Sequence, residues 1–181
     1  MNTAPDAYKI ALLRKLRETL QNMPPDMSED GYFQSPSETM FVPGRDGQLK
    51  EIQHVSVLGS PQNDHEAGLQ IRYFAEVKIP DNFSPEDDLR PLNILLLRIA
   101  EKSGLKIVPQ LKGEPPVQID KKGTCVPVDF HGEHNGQLTG MFCISFHKDD
   151  IPILLQTVNS MLADLGQSFT KKATDRGEQE L

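Results

Sequence analysis

Long apolar runs, cysteine and excess positive charge are all scarce in this sequence. The richest run, Leu92 to Ala100, is broken by Asn93 and Arg98. It falls well short of the roughly 20 apolar residues a bilayer-crossing helix needs, so no membrane insertion is expected. The N-terminal stretch MNTAPDAYKIALLRKLRETL also lacks the uninterrupted apolar core of a secretory signal, which points to a cytoplasmic protein. Two cysteines without an export signal favour reduced thiols over a disulfide framework. Lysine and arginine number 19 against 26 acidic residues, for a net charge of −7. That balance removes the long-range attraction of phosphate backbones and anionic lipids, and argues against nucleic acid as a partner.

Chemistry-bearing motifs are missing as well. GRDG, residues 44 to 47, has too few glycines and no lysine opening a helix, so it reads as a turn and not as a phosphate loop. LGSP around Ser60 lacks the glycine that a nucleophile elbow places after its serine. Asp64, His65 and Glu66 read as a solvated loop, and the acids at 86 to 88 as a helix start. No dinucleotide fingerprint is present, and no cofactor, metal or catalytic residue is expected.

What the sequence does contain is alternating periodicity. Ile10, Leu13, Leu16, Leu20 and Met23 recur at spacings of three and four, which predicts an amphipathic helix over roughly 5–22, started by Thr3 and stopped by Pro24 and Pro25. The segment 24–38 is rich in Pro, Ser and acid and reads as a mobile arm, with Tyr32 and Phe33 as anchors to the body or to a partner. Strands are expected at 39–43 and 49–58, flanking the GRDG turn, and at 69–79. In the last of these Leu69, Ile71, Tyr73, Ala75, Val77 and Ile79 share one face.

The segment 92–99 is apolar nearly all round, which predicts a central helix covered on more than one side and closed by Gly104. Further strands are expected at 106–111 and 117–120. A terminal helix, capped by Asp149, carries Ile151, Leu154, Leu155, Val158, Met161, Leu162 and Leu165. Residues 1–170 thus form a single α+β domain, followed by a disordered tail at 171–181.

The stretch CVPVDFHGEHNGQLTGMFCISFH, residues 125 to 147, holds both cysteines and three of the five histidines. Alternation predicts a hairpin that places 130 opposite 142, 128 opposite 144 and 126 opposite 146, around an odd-length loop at Asn135-Gly136. Cys125 then lies opposite His147. Cys143 and His147 stand about 13 Å apart along one strand and cannot share a zinc ion. His131-Gly132-Glu133 has the spacing of zinc deaminases without their P-C-x-x-C partner. A reactive Cys125–His147 pair stays open as the enzymatic alternative.

The expected fold is therefore an antiparallel sheet of five to six strands with N-terminal, central and C-terminal helices, in the order α-βββ-α-ββ(β)-α. This order, with the acidic composition and size, resembles the small chaperones of bacterial type III secretion. The resemblance implies a noncatalytic homodimer that holds a client or effector protein segment on an apolar surface. It implies partner contacts at Leu69, Ile71, Tyr73 and Phe74, with Tyr32 and Phe33, and a dimer or core role for Leu92, Leu95, Leu96 and Ile99. The runner-up reading is a small-ligand or regulatory domain with a pocket between the sheet and helix 92–104.

Overall fold

Helix α1 (Ala7–Gln21) forms where leucines recur at helical spacing, and it buries Leu12, Leu13, Leu16 and Leu20 on one stripe. The computed structural model of the chain describes residues 6–23, 32–61, 65–76, 89–107, 124–125, 128–134 and 137–179. The expected cap Thr3 lies outside them. Asp6 occupies the N-cap position without a side-chain cap bond and instead pairs with Lys9 at 3.0 Å.

Two short segments, β1 (Phe33–Gln34) and β2 (Glu38–Pro43), follow one another along the long strand β3 (Leu49–Pro61). Gly47, at φ +80°, and the Asp46 carboxylate, which accepts from the Gln48 N–H at 3.0 Å, make the tight turn that joins β2 to β3. Between Glu38↔Val55 and Met40↔Ile52, β3 uses one more residue than its partner, and His54 there adopts φ +52°. This is a bulge that bends β3 between the half paired with β2 and the half paired with β4.

Strand β4 (Glu66–Glu76) pairs antiparallel with β3 on one side and with β8 (Gln137–His147) on the other. The far edge is β7 (Val128–His134), so the sheet runs β1/β2, β3, β4, β8, β7, antiparallel throughout. The expected continuation of β4 to Ile79 and the strand at 117–120 lie outside the described residues. A two-stranded pair, β5 (Lys106–Ile107) and β6 (Thr124–Cys125), runs parallel, which the sequence did not anticipate. Pairs of two residues carry too little periodicity to be read.

Helix α2 (Arg90–Lys102) begins with Pro91 in its first turn and ends at Gly104, φ +75°, with the Leu105 N–H reaching back to the Ala100 carbonyl at 3.1 Å. Helix α3 (Ile151–Gln179) follows a 3-10 turn at Lys148–Asp150. The His147 imidazole, not Asp149, caps that turn: its Nδ1 accepts from the Asp149 N–H at 3.1 Å. The helical backbone of α3 runs past Phe169, where the sequence reading ends regular structure. Lys, Ala, Arg, Glu and Gln dominate this extension and are good helix formers without packing.

Leu12, Leu16 and Leu20 of α1, Val57, Leu69, Ile71, Phe142, Ile144 and Phe146 of the sheet, Leu92, Leu96 and Ile99 of α2, and Leu154 and Val158 of α3 belong to one apolar cluster. Burial of this many large side chains, each contributing on the order of 1.5–3 kcal/mol, holds the helices to the sheet. At the helix ends, the Ser103 hydroxyl of α2 lies 2.7 Å from Thr157 Oγ1 of α3, fixing their relative position with a buried polar link.

Candidate functional site

The cysteine-histidine stretch does not form the constellation its composition invites. The β7–β8 register is Val128↔Cys143, Phe130↔Met141 and His134↔Gln137. The expected pairs 130/142 and 128/144, and with them the odd-length loop, are shifted by one residue; Asn135 and Gly136 themselves lie outside the described residues. On an edge strand, the alternation of Val128 and Phe130 alone is too short a signal to fix the register. Phe142, Ile144 and Phe146 are buried as expected, but the residue opposite Phe142 is Asp129.

His147 pairs with Glu66 of β4, while Cys125 pairs with Ile107 of β5. The strand pairings recorded for these two residues among the described residues are therefore to Glu66 and Ile107, not to each other. The His147 ring stacks on His65 with centroids 6.0 Å apart, which explains its placement as turn and ring packing. Cys143 is half-buried across from Val128, and desolvation pushes its thiol up to about 11, with Arg72 pulling weakly the other way. A thiol so protonated at neutral pH is a poor nucleophile. No group of three metal-ligating side chains occurs among the described residues.

The residues expected to contact a partner are placed elsewhere than the reading needs. Leu69, Ile71 and Tyr73 are buried in the chain's own core, because their face of β4 is the one the helices cover. Tyr73 packs against Phe142 and fills the space over Gly140, where an added Cβ would lie 2.4 Å from the tyrosine ring. Leu92, Leu95, Leu96 and Ile99 are likewise buried within one chain, so the dimer-or-core alternative resolves to core. Of the expected anchors, Phe33 is half-buried beside Gly59, Tyr32 is 69% exposed, and Phe74 stands across from Thr139.

The exposed side chains of α2 lie on its other side. This helix is not apolar all round: Arg90, Ile94 (39% exposed), Arg98 and Lys102 are all exposed and follow one another at spacings of four. Residues four apart on a helix are neighbours, so these side chains form one basic ridge with an apolar step in it. Two hollows meet at Pro91. One, about 260 Å³, lies between the three helices, lined by Tyr8, Lys9, Pro91, Leu95, Arg98, Lys102, Met161, Asp164 and Leu165. The other, about 270 Å³, is lined by Pro43, Gly44, Arg45, Arg90, Pro91 and Ile94, and reaches the β2–β3 turn.

Among the described residues, Lys9, Arg45, Arg90, Arg98 and Lys102 line these hollows together with the carboxylate of Asp164, in a chain whose net charge is −7. Lys9 is partly neutralised by Asp6 at 3.0 Å. Among the described residues, Arg98 and Lys102 have no ion-pair partner. The Tyr8 phenol forms the floor between α1 and α2. Desolvation first, then the nearby Asp6 charge, push its pKa up to about 12, while the Arg98 guanidinium opposes the shift and so marks its own proximity.

Sequence reading missed this site because it took Arg98 only as an interruption of an apolar run. The signal was the four-residue spacing of Arg90, Ile94, Arg98 and Lys102. Tyr8, Met161 and Asp164 arrive from distant parts of the chain and leave no local signal. No helix among the described residues is long and apolar enough to cross a membrane. The chain matches no family model, no curated protein and no solved structure.

Proposed function

We propose that this chain is a noncatalytic protein-binding adaptor that holds a segment of a client protein, in the manner of the secretion chaperones that its element order and composition resemble. The observation that carries this reading is the outer side of α2: an exposed isoleucine and two hollows that share Pro91, with Arg98 and Lys102 exposed beside them, on a helix whose opposite face is firmly seated in the core. Such a mixture of apolar pockets and oriented charge suits recognition of another chain better than solvation alone. A homodimer, which the resemblance implies, would have to use surface other than Leu92, Leu95, Leu96 and Ile99, since these are already covered.

Affinity capture of the tagged chain from its native cytosol, with light scattering of the purified protein, tests the reading. The expected result is one dominant stoichiometric partner that is lost from an Arg98→Glu/Lys102→Glu variant of unchanged fold. A chain that enriches no partner sinks it. The second reading, a small-ligand domain, draws on the 260 Å³ hollow, although that space lies between the helices and not between sheet and helix. It predicts a rise in melting temperature with some member of a metabolite panel, since a ligand of the native state alone stabilises it.

A further inference from the structure

We infer that the hollow between the three helices is a binding site for a small organic monoanion, one carboxylate on an apolar body. The inference rests on the small-ligand reading, to which it gives a chemical class, and is independent of the adaptor reading. Size follows from the volume of about 260 Å³. A cavity of about 150 Å³ takes up benzene, which scales to a guest of roughly ten non-hydrogen atoms here. Pro91, Leu95, Met161 and Leu165 supply apolar walls for such a body.

The carboxylate is selected by the polar groups. Tyr8 lines the hollow and is only 5% exposed, yet among the described residues its phenol has no hydrogen-bond partner. A phenol so placed offers its O–H to whatever the hollow holds. With its pKa pushed up to about 12 by burial, it is a donor at neutral pH. The Arg98 charge is felt at that phenol, and Lys102 follows one turn further along α2.

These cations count only after their opponents are subtracted. Lys9 is held by Asp6 at 3.0 Å, and the two cancel. Asp164 also lines the hollow and offsets one of Arg98 and Lys102, neither of which has an ion-pair partner among the described residues. Glu101, exposed three residues from Arg98, does not line it. One positive charge is left, which a single carboxylate neutralises and a doubly charged phosphate exceeds. The planar guanidinium of Arg98 matches a carboxylate in shape as well as charge.

The test is calorimetric titration of the full chain with octanoate, a carboxylate of matching size, beside octanol, octylamine and octyl phosphate. Saturable binding of one octanoate per chain is expected, about tenfold tighter than octanol or octyl phosphate, with no binding of octylamine. Arg98→Ala should weaken it about tenfold and Tyr8→Phe about threefold, both with unchanged circular dichroism. Asp164→Asn, which removes the opposing carboxylate, should shift preference toward octyl phosphate. The chain has three tyrosines and no tryptophan, so octanoate should also change its tyrosine emission, and that change should vanish in Tyr8→Phe.

Equal affinity for octanol, a preference of the parent chain for octyl phosphate or octylamine, octanoate binding unchanged in Arg98→Ala and Tyr8→Phe, or no octanoate binding would each overturn the inference. Failure here separates from failure of the small-ligand reading. Stabilisation by a neutral or cationic member of the metabolite panel, without octanoate binding, leaves that reading standing without this chemistry, and a panel with no response removes both.

Discussion

Helices α1 and α2 cover the same sheet and are both amphipathic, yet they treat their cations in opposite ways. On α1, Lys15 is only 8% exposed; its ammonium donates to the Pro36 carbonyl and lies 3.3 Å from Glu38, clamping the helix to the β1–β2 edge. On α2, Arg98 and Lys102 stand in solvent without an ion-pair partner among the described residues. A buried charge persists only when paired, so Lys15 belongs to the architecture. Exposed charges without an ion-pair partner contribute little to the stability of the chain that carries them.

The largest effects should come from the inner faces, where the two helices are alike. Leu16→Ala on α1 and Leu96→Ala on α2 each remove a fully buried side chain and should cost about 2–5 kcal/mol in urea unfolding. If Leu96→Ala costs well under 1 kcal/mol, the inner face of α2 is not core and the contrast between its two faces fails. A further check on the sheet beneath is Gly140→Ala. Its new Cβ meets the Tyr73 ring at 2.4 Å, and a loss of about 1–3 kcal/mol follows from overpacking.

The outer cations should divide next. Lys15→Ala removes the partner of Glu38 and of the Pro36 carbonyl and should cost about 1–3 kcal/mol. Arg98→Ala and Lys102→Ala should each change stability by less than about 0.5 kcal/mol, as surface substitutions without partners do. Equal costs at Lys15 and Arg98 in thermal or urea unfolding would erase the distinction between a structural and an available cation.

How far this contrast was legible in the sequence depends on which face of each element is asked about. The inner faces were readable because Leu13, Leu16 and Leu20, or Leu69, Ile71 and Tyr73, repeat one period over several turns or residues, and burial selects for that period. The outer face of α2 was not readable, since Ile94 and Leu95 are equally apolar on paper and only the position of α1 and α3 decides which is covered. The β7–β8 register failed for a related reason: the alternation of Val128 and Phe130 is too short a signal to fix a pairing that is one residue away from its alternative. Lys15 shows the same limit from the polar side. Its neighbours Arg14 and Glu18 are exposed, and nothing local distinguishes it from them.

The smallest predicted effect probes where the two helices meet. Tyr8 of α1 holds its proton up to about pH 12 in the folded chain, against a reference of 10.0 when unfolded. Between those values the unfolded chain has lost a proton that the folded chain keeps, so this group's contribution to stability is intact below pH 10 and declines as pH rises toward 12. Tyr8→Phe should therefore differ little from the parent at neutral pH and become relatively more stable across that window, as measured by urea unfolding at stepped pH. Arg98→Ala sharpens the point: with the guanidinium gone, ultraviolet titration should place the Tyr8 transition higher still. An unchanged transition would mean that Arg98 does not reach across the hollow between the helices to α1, and the contrast between the outer faces of α1 and α2 would have to be drawn without it.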